Sequence, residues 1–221
     1  KEGKLGHCLI GDLFEEFGKD GDARDAVANL YFAGIDTTTS VVTSFLLVLF
    51  VFPDVAKKVQ AEIDALLDQG GLPTVKDRTR LTYTEAVWKE SIRWRPTVPN
   101  GYMLVDPKTW GDPEVFRPER HLPSHNPDAE SLPNPAVLAF GFGARTCPGM
   151  YFADRTGFHL VLTLISLFDL LPPIGKSRLS PDDIVFTRGI FMFPTNFQVR
   201  FVPRNEKAAA FLSAMNVAAS D

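Results

Sequence analysis

The most informative stretch of the sequence is Phe140-Gly141-Phe142-Gly143-Ala144-Arg145-Thr146-Cys147-Pro148-Gly149. Its cysteine stands at the predicted N-terminus of a helix, where free backbone N–H groups and the helix dipole favour a thiolate. A thiolate is the form in which cysteine binds a soft iron centre. Gly143 and Gly149 let the backbone approach a flat cofactor, and Arg145 is placed to pair with a cofactor carboxylate. The alternative is a buried free cysteine beside a glycine-rich turn, which is the commoner situation for a lone cysteine.

The composition limits the class of protein. The 221 residues are 45% hydrophobic and 23% charged, which is typical of a globular domain and excludes a disordered tail or a coiled coil. Because 23 basic and 27 acidic residues give a net charge of −4 without a basic cluster, nucleic acid is not an expected partner. Two cysteines without a CxxC pair, Cys8 and Cys147, predict neither a disulfide framework nor a zinc finger, and they favour a reducing compartment.

Residues 26–52 form a long apolar segment that carries a single charge, Asp36. By length alone this segment suits a membrane span. However, a polar run, Asp36-Thr37-Thr38-Thr39-Ser40, interrupts it, and its ends lack the aromatic and basic residues that flank membrane helices. A helix that is apolar on nearly all sides is also typical of the centre of a protein core. We therefore expect a central core helix, with a membrane span as the alternative.

Proline, glycine and hydrophobic periodicity divide the chain into predicted elements. A long helix is predicted over about 22–52 and ends at Pro53, where a second helix begins; a third helix over about 82–95 is opened by a capping box, Thr82-x-x-Glu85. A proline-rich irregular coil with 10 of the 17 prolines follows over 96–148. The chain then continues with a helix over about 149–170, a β hairpin over about 184–202 with its turn at Pro194-Thr195-Asn196, and a tail over 205–221. The predicted fold is mainly α with a small β portion.

The stretch around Cys147 resembles the haem-binding signature F-x-x-G-x-R-x-C-x-G of the cytochrome P450 family. The five fixed positions are occupied by Phe140, Gly143, Arg145, Cys147 and Gly149. This resemblance implies that Cys147 is the axial ligand of the iron in haem b and that Arg145 anchors the haem. It also implies that the phenylalanine and the two glycines belong to the cofactor-binding loop.

A second stretch, Ala33-Gly34-Ile35-Asp36-Thr37-Thr38, resembles the family motif A-G-x-D/E-T-T. A glycine inside a helix costs about 1 kcal/mol relative to alanine, and close approach of a cofactor face to Gly34 is one reason to keep it. The resemblance implies that Asp36 and Thr37 deliver protons to the reaction. In the alternative, the hydroxyls of this helix bond back to preceding carbonyls and Asp36 lies at a surface edge.

A third stretch, Glu90-Ser91-Ile92-Arg93, resembles the family motif E-x-x-R, and Pro118-Glu119-Arg120 resembles its P-E-R segment. The resemblance implies that Glu90, Arg93 and Arg120 form a buried network that supports the coil before the cysteine. His121 follows where the family usually has phenylalanine. Gly189-Ile190-Phe191 falls where the family has a loop that contacts substrate.

The resemblance runs from about Asp12 to Arg204 and indicates the C-terminal half of a microsomal, fungal-type member, within an incomplete domain over 1–204. The sequence begins with Lys1 and shows no basic-then-apolar leader, so we expect no signal peptide and a fragment of a longer protein. The interval between Arg93 and Arg120 is roughly half of the family's usual length. We therefore expect a segment to be missing at about Gly101/Tyr102, together with a partner for the second haem propionate.

The function that the resemblance implies is that of a haem-thiolate monooxygenase. Such an enzyme oxidises an apolar organic substrate with O2 and with electrons from an NADPH-cytochrome reductase. The full-length relative is expected at the cytoplasmic face of the endoplasmic reticulum, with membrane contact through an N-terminal anchor that this sequence does not show. The alternative is a truncated, inactive fragment that does not bind haem.

Overall fold

The structure is a computed structural model that describes residues 11–12, 15–16, 21–67, 71–98 and 102–218. The helices are α1 (Gly21–Val51), α2 (Pro53–Leu66), α3 (Thr82–Trp94), α4 (Pro107–Trp110), α5 (Pro135–Phe140), α6 (Met150–Leu167) and α7 (Glu206–Ala218). Short 3-10 helices span Val75–Arg80, Tyr102–Leu104, Pro118–His121, Gly143–Arg145 and Pro181–Asp183. Two strands, β1 (Phe168–Leu171) and β2 (Arg200–Pro203), pair antiparallel. As predicted, the fold is mainly α with a small β portion.

The core forms around the C-terminal half of α1. Residues 45–51 are all buried, whereas most residues of the N-terminal half are exposed. A helix segment that is apolar on every side needs neighbours on every side, and α2, α3, α6 and β1 pack against it. By length and composition α1 is also able to cross a membrane over Arg24–Val51, and 56% of its most apolar window is buried inside the protein. This burial favours the core-helix interpretation.

Trp88 of α3 and Asp154 of α6 join these two helices. The indole Nε1 of Trp88 donates to Asp154 at 2.7 Å, and Arg78 donates to the same carboxylate at 2.6 Å. On the next turn of α6, Gly157 lies against the indole ring, where a Cβ would stand 2.9 Å from a ring carbon. The close packing of α3 on α6 therefore requires glycine at this position.

The C-terminal part of the chain differs from the predicted helix over 149–170 and hairpin over 184–202. Helix α6 ends at Leu167, and residues 168–171 form β1, which pairs with β2 in the register Phe168↔Pro203 to Leu171↔Arg200. Inside the expected hairpin, Phe186 and Pro194 form an isolated bridge, and the chain reverses over residues 188–192. The hydrogen bonds of this bridge run from the Thr187 N–H to the Phe193 carbonyl at 2.9 Å and from the Thr195 N–H to the Val185 carbonyl at 2.7 Å, and the pairing extends no further.

Two further segments hold more helix than the sequence suggests. The expected coil over 96–148 contains α4, α5 and several short 3-10 helices. The expected tail over 205–221 contains α7, whose first turn is capped because the Asn205 side chain accepts from the Ala208 N–H at 2.8 Å. Ala208 is buried, and α7 packs against α6 and β2, so tertiary contact stabilises this helix.

The N-terminus of α3 is capped by a residue from another helix, not by the predicted box Thr82-x-x-Glu85. Glu62 of α2 accepts from the N–H groups of Tyr83 and Thr84, both at 2.8 Å, and from the Thr84 hydroxyl at 2.7 Å. Glu85 instead binds Arg78 at 2.7 Å. A carboxylate from a neighbouring helix satisfies the free N–H groups and suits the positive end of the helix dipole.

We expect Glu62→Ala to lower the free energy of unfolding by about 1–2 kcal/mol, because the N–H groups of α3 lose their acceptor. Thr82→Ala is the matched control, and its effect is expected to stay within about 0.5 kcal/mol because the Thr82 side chain caps nothing. Urea unfolding followed by circular dichroism measures both. If Thr82→Ala lowered the free energy of unfolding more than Glu62→Ala, the predicted capping box would be the cap of α3 after all.

Candidate functional site

A cavity of about 570 Å³ lies between α1, the end of α3 and the loop before α6. Of the residues singled out from the sequence, Gly34, Thr37, Phe140, Cys147 and Gly149 line it. Most of the remaining wall is apolar and includes Leu30, Ile35, Val41, Ile92, Val98, Ala139, Pro148 and Phe152. The structure therefore brings the two most informative motifs of the sequence to one cavity.

The loop from Gly141 to Gly149 is closed by its own backbone. The Cys147 N–H donates to the Phe140 carbonyl at 2.9 Å, and the Thr146 N–H donates to the Gly143 carbonyl at 3.1 Å. Gly141 and Gly143 have φ values of 81° and 59°, in the left-handed region that favours glycine. This backbone shape is a sufficient reason for glycine at both positions, and it presents Cys147 just before the first turn of α6.

Cys147 is a free, partly buried cysteine at the wall of the cavity. A Cβ added at Gly149 would lie 3.8 Å from Sγ, which is an ordinary van der Waals contact. Arg145 and Gly143, from the same motif, are exposed and are not among the lining residues. Within the motif, one face, with Phe140, Cys147 and Gly149, lines the cavity, and the other face, with Gly143 and Arg145, is exposed to solvent.

The α1 wall shows a similar division. A Cβ added at Gly34 would meet no atom within 4 Å, so the cavity is open at this point. Thr37 lines the cavity while its hydroxyl donates to the Ala33 carbonyl at 2.6 Å, which is the back-bond of the alternative interpretation. Asp36 is exposed and lies outside the lining.

Glu90 is the acceptor at the centre of a buried polar cluster. Arg93 donates to it twice, both at 2.9 Å, and Arg120 donates at 3.0 Å. The Arg117 backbone N–H and the His121 ring add contacts of 3.0 Å each. Burial alone would raise the pKa of Glu90, but the hydrogen bonds from His121 and Arg93 outweigh it, and the pKa lies below its ordinary value.

The two arginines of this cluster also bind backbone carbonyls of the proline-rich segment. Arg93 donates to Leu104, Pro113 and Val115, and Arg120 donates to Trp110, Asp112 and Val115. His121 is the member that was not assigned to the network from the sequence. The histidine in place of the usual phenylalanine was the available signal, and its Nε2 contact with Glu90 shows what the change contributes.

Ser40 and Thr97 hold the loop at residues 188–192 against the cavity wall. The buried Ser40 hydroxyl donates to the Met192 carbonyl at 2.6 Å, and the Met192 N–H donates to the Thr97 carbonyl at 2.8 Å. Both backbone polar groups of Met192 are therefore satisfied by other elements. This pair of hydrogen bonds, the Ser40–Met192 clip, was not predicted from the sequence. A serine beside the long apolar run of α1 was a signal that its hydroxyl needs a partner.

Comparisons with known proteins agree on one family. The sequence model of the family described as Cytochrome P450 matches residues 12–102 and 100–201. The chain is 34% identical over 220 residues to Cytochrome P450 monooxygenase 208 of Postia placenta, which covers 87% of this chain and 43% of the relative. It is 38% identical over 218 residues to Cytochrome P450 monooxygenase COX2 of Coprinopsis cinerea, covering 85% and 41%.

A further relative is Tryptamine 4-monooxygenase of Psilocybe cyanescens, 34% identical over 214 residues that cover 83% of this chain and 42% of that protein. The chain spans less than half the length of these curated relatives. The two segments of the family match meet at residues 100–102, where we expect the shortened interval from the sequence. Gly101 itself lies outside the described residues.

We expect Glu90→Gln to lower the free energy of unfolding by about 3–5 kcal/mol at neutral pH, because two buried arginines lose their counter-charge. Since the pKa of Glu90 is lowered on folding, its contribution is complete above the ordinary carboxyl pKa and is lost as the pH falls through the folded value. Urea unfolding between about pH 7 and pH 3 is the measurement.

In that experiment the variant is expected to lose less stability than the wild type on acidification. Glu130→Gln, at an exposed position, is the control and should follow the wild type at each pH. His121→Phe removes one donor and keeps a ring, so we expect a loss of about 1 kcal/mol. Equal acid dependence in Glu90→Gln and the wild type would show that ionisation of Glu90 does not stabilise the fold.

We expect Ser40→Ala to speed hydrogen exchange of backbone amides over residues 187–193, because the Met192 carbonyl loses its donor. Ser44→Ala, at the next buried serine of α1, is the matched control, since its hydroxyl has no partner in the part of the chain that the structure describes. Hydrogen exchange followed by mass spectrometry compares the two. Unchanged exchange in Ser40→Ala would show that the clip does not hold the loop.

Proposed function

The chain belongs to the cytochrome P450 family, and from that membership we propose that it forms the haem-binding part of a monooxygenase acting on an apolar organic substrate. The observation that carries the proposal is the cavity that Cys147 shares with Gly34 and Thr37. A flat iron cofactor requires a sulfur ligand on one side, and on the other side a helix surface that a glycine leaves free of side-chain atoms.

The residues present fit haem b. The cavity offers one thiol, Cys147, among mostly apolar side chains, and Gly34 leaves open space on the α1 wall. Among the described residues, no group of three or more His, Cys, Asp or Glu side chains is placed to hold a separate metal ion. When bound, haem supplies the electron-transfer and O2 chemistry that amino-acid side chains lack.

The chain's own residues would then divide the remaining work. Cys147 holds the thiolate, with its backbone N–H fixed on the Phe140 carbonyl. Phe140, Gly143 and Gly149 would shape the loop, and Arg145, whose side chain is exposed and outside the lining, would turn to pair with a cofactor carboxylate. Glu90, Arg93 and Arg120 support the segment that leads to this loop and touch neither cofactor nor substrate.

Asp36 and Thr37 would move protons. Asp36 is exposed, so its carboxylate is in contact with bulk water. Thr37 lines the cavity next to it in the chain and carries a proton on Oγ1, which now donates to the Ala33 carbonyl at 2.6 Å. The proposed route therefore runs from solvent to Asp36 and on to Thr37 Oγ1, which releases the back-bond when it turns toward the cavity.

Substrate, redox partner and location belong to the whole protein. The apolar lining supports an apolar organic substrate, which reacts with O2. We propose that an NADPH-cytochrome reductase supplies the electrons and that the complete protein lies at the cytoplasmic face of the endoplasmic reticulum. Both statements rest on family membership and on the microsomal-type relatives that the motifs resemble.

A reduced carbon monoxide difference spectrum tests the proposal directly. The purified chain, reconstituted with haem b, is expected to show the red-shifted band that names the family, because that band reports thiolate ligation. Cys147→Ser should lose this band, whereas Cys8→Ser, at the other cysteine of the sequence, should keep it. A wild-type chain that stays colourless after reconstitution would overturn the proposal and favour a fragment without haem.

A further inference from the structure

Unpaired polar atoms are concentrated at the cavity. Across the described ranges, four buried side-chain nitrogen or oxygen atoms lack a hydrogen-bond partner, namely Ser44 Oγ, Arg95 Nε, Thr97 Oγ1 and His159 Nδ1. The first three belong to residues that line the cavity. Buried unpaired groups are rare in native proteins, so three on the residues of one cavity call for an explanation.

Arg95 is the charged residue of this wall. Its guanidinium lies 3.8 Å above the Trp94 ring and 5.3 Å from the Phe186 ring, and it donates to the Trp94 carbonyl at 2.9 Å. In the described part of the chain it makes no ion pair, whereas Arg93 and Arg120 both bind the Glu90 carboxylate. Arg95 thus presents a positive charge to an apolar cavity without an acidic partner.

The electrostatic surroundings of Arg95 agree with this geometry. Burial lowers the pKa of Arg95 below its ordinary value, Glu114 offsets part of the change, and Arg93 adds to it. An arginine keeps its charge even so, because its ordinary pKa is far above neutral. A buried cation in this situation gains most from an anion that enters the cavity.

We propose that Arg95, Thr97 and Ser44 form a carboxylate-binding subsite in the cavity wall. Arginine binds a carboxylate through two parallel N–H donors, and the two hydroxyls can donate to the same group. In the free chain, Nε of Arg95 is enclosed. When a ligand binds, the guanidinium therefore has to turn toward the cavity, and it exchanges its hydrogen bond to the Trp94 carbonyl for the ion pair with the ligand. The apolar remainder of the wall suits the hydrocarbon part of the ligand.

Two ligands offer this chemistry, a haem propionate and the acidic end of an apolar substrate. The first rests on the proposed haem binding, and it would replace the propionate partner that we expect to be missing near residue 101. The second does not depend on haem, because a long-chain acid can enter the cavity by itself. One set of variants distinguishes the two.

The first arm titrates the full chain at about pH 7.5 with haemin and with haemin dimethyl ester, whose propionates carry no charge. Absorbance measures binding. If the subsite takes a propionate, the wild type should bind haemin at least about tenfold more tightly than the ester, and Arg95→Met should lose this preference.

The second arm titrates the chain with dodecanoate and with dodecanol, and calorimetry measures binding. If the subsite takes a substrate carboxylate, the wild type should prefer the acid by about tenfold and Arg95→Met should bind both alike. Because this arm needs no haem, it gives an answer even if the proposed function fails.

Arg178→Met is the matched control, because Arg178 also lies above an aromatic ring, that of Phe50 at 4.7 Å, and donates to backbone carbonyls. It should keep every preference of the wild type. Thr97→Val removes one hydroxyl at nearly constant shape and should weaken the same preference several-fold, which tests the subsite even if Arg95→Met fails to fold. The proposal is overturned if the wild type shows neither preference, or if Arg95→Met and Thr97→Val keep the one it shows.

Discussion

The carboxylate of Glu90 is the interaction on which the rest of the structure depends. It is fully buried, and it neutralises two arginines that have no other carboxylate at comparable burial among the described residues. Those arginines in turn bind carbonyl groups between residues 104 and 115, a segment whose prolines limit its own hydrogen bonding. A buried ion pair adds little net stability compared with a well-packed apolar cluster. Its contribution here is to fix the path of a chain segment that has few other ways to hold its shape.

Helix α1 connects this scaffold to the cavity. Its C-terminal half is buried among α2, α3 and α6, and its N-terminal half carries Gly34 and Thr37 to the cavity wall. The opposite wall comes from the loop before α6, whose glycines take left-handed conformations to bring Cys147 into place. The two walls are therefore positioned by one packed core, to which lining residues such as Ile92 and Val41 also contribute.

Periodicity and local motifs predicted what is local, and the family resemblance predicted the distant network of Glu90, Arg93 and Arg120, but other distant contacts were missed. The long helix, the helix after Cys147 and the glycine-rich loop follow from proline positions, periodicity and a short motif, because the residues that determine them are neighbours in the chain. The Glu62 cap, the β1–β2 pairing and the Ser40–Met192 clip each join residues far apart in sequence. At the predicted capping box and hairpin the local signal was real, but a tertiary partner satisfied the same backbone groups better.

The contact between Trp88 and Gly157 has a consequence for how such a protein can diversify. The indole is fixed at its nitrogen by Asp154 and at its ring by the glycine, so sliding α6 along α3 would break the bond and drive a side chain into the ring. This contact thus fixes how α6, which begins just after Cys147, lies on α3. Substitutions at exposed lining residues such as Phe152 leave this contact intact, so the shape of the cavity can change while the two helices keep their arrangement.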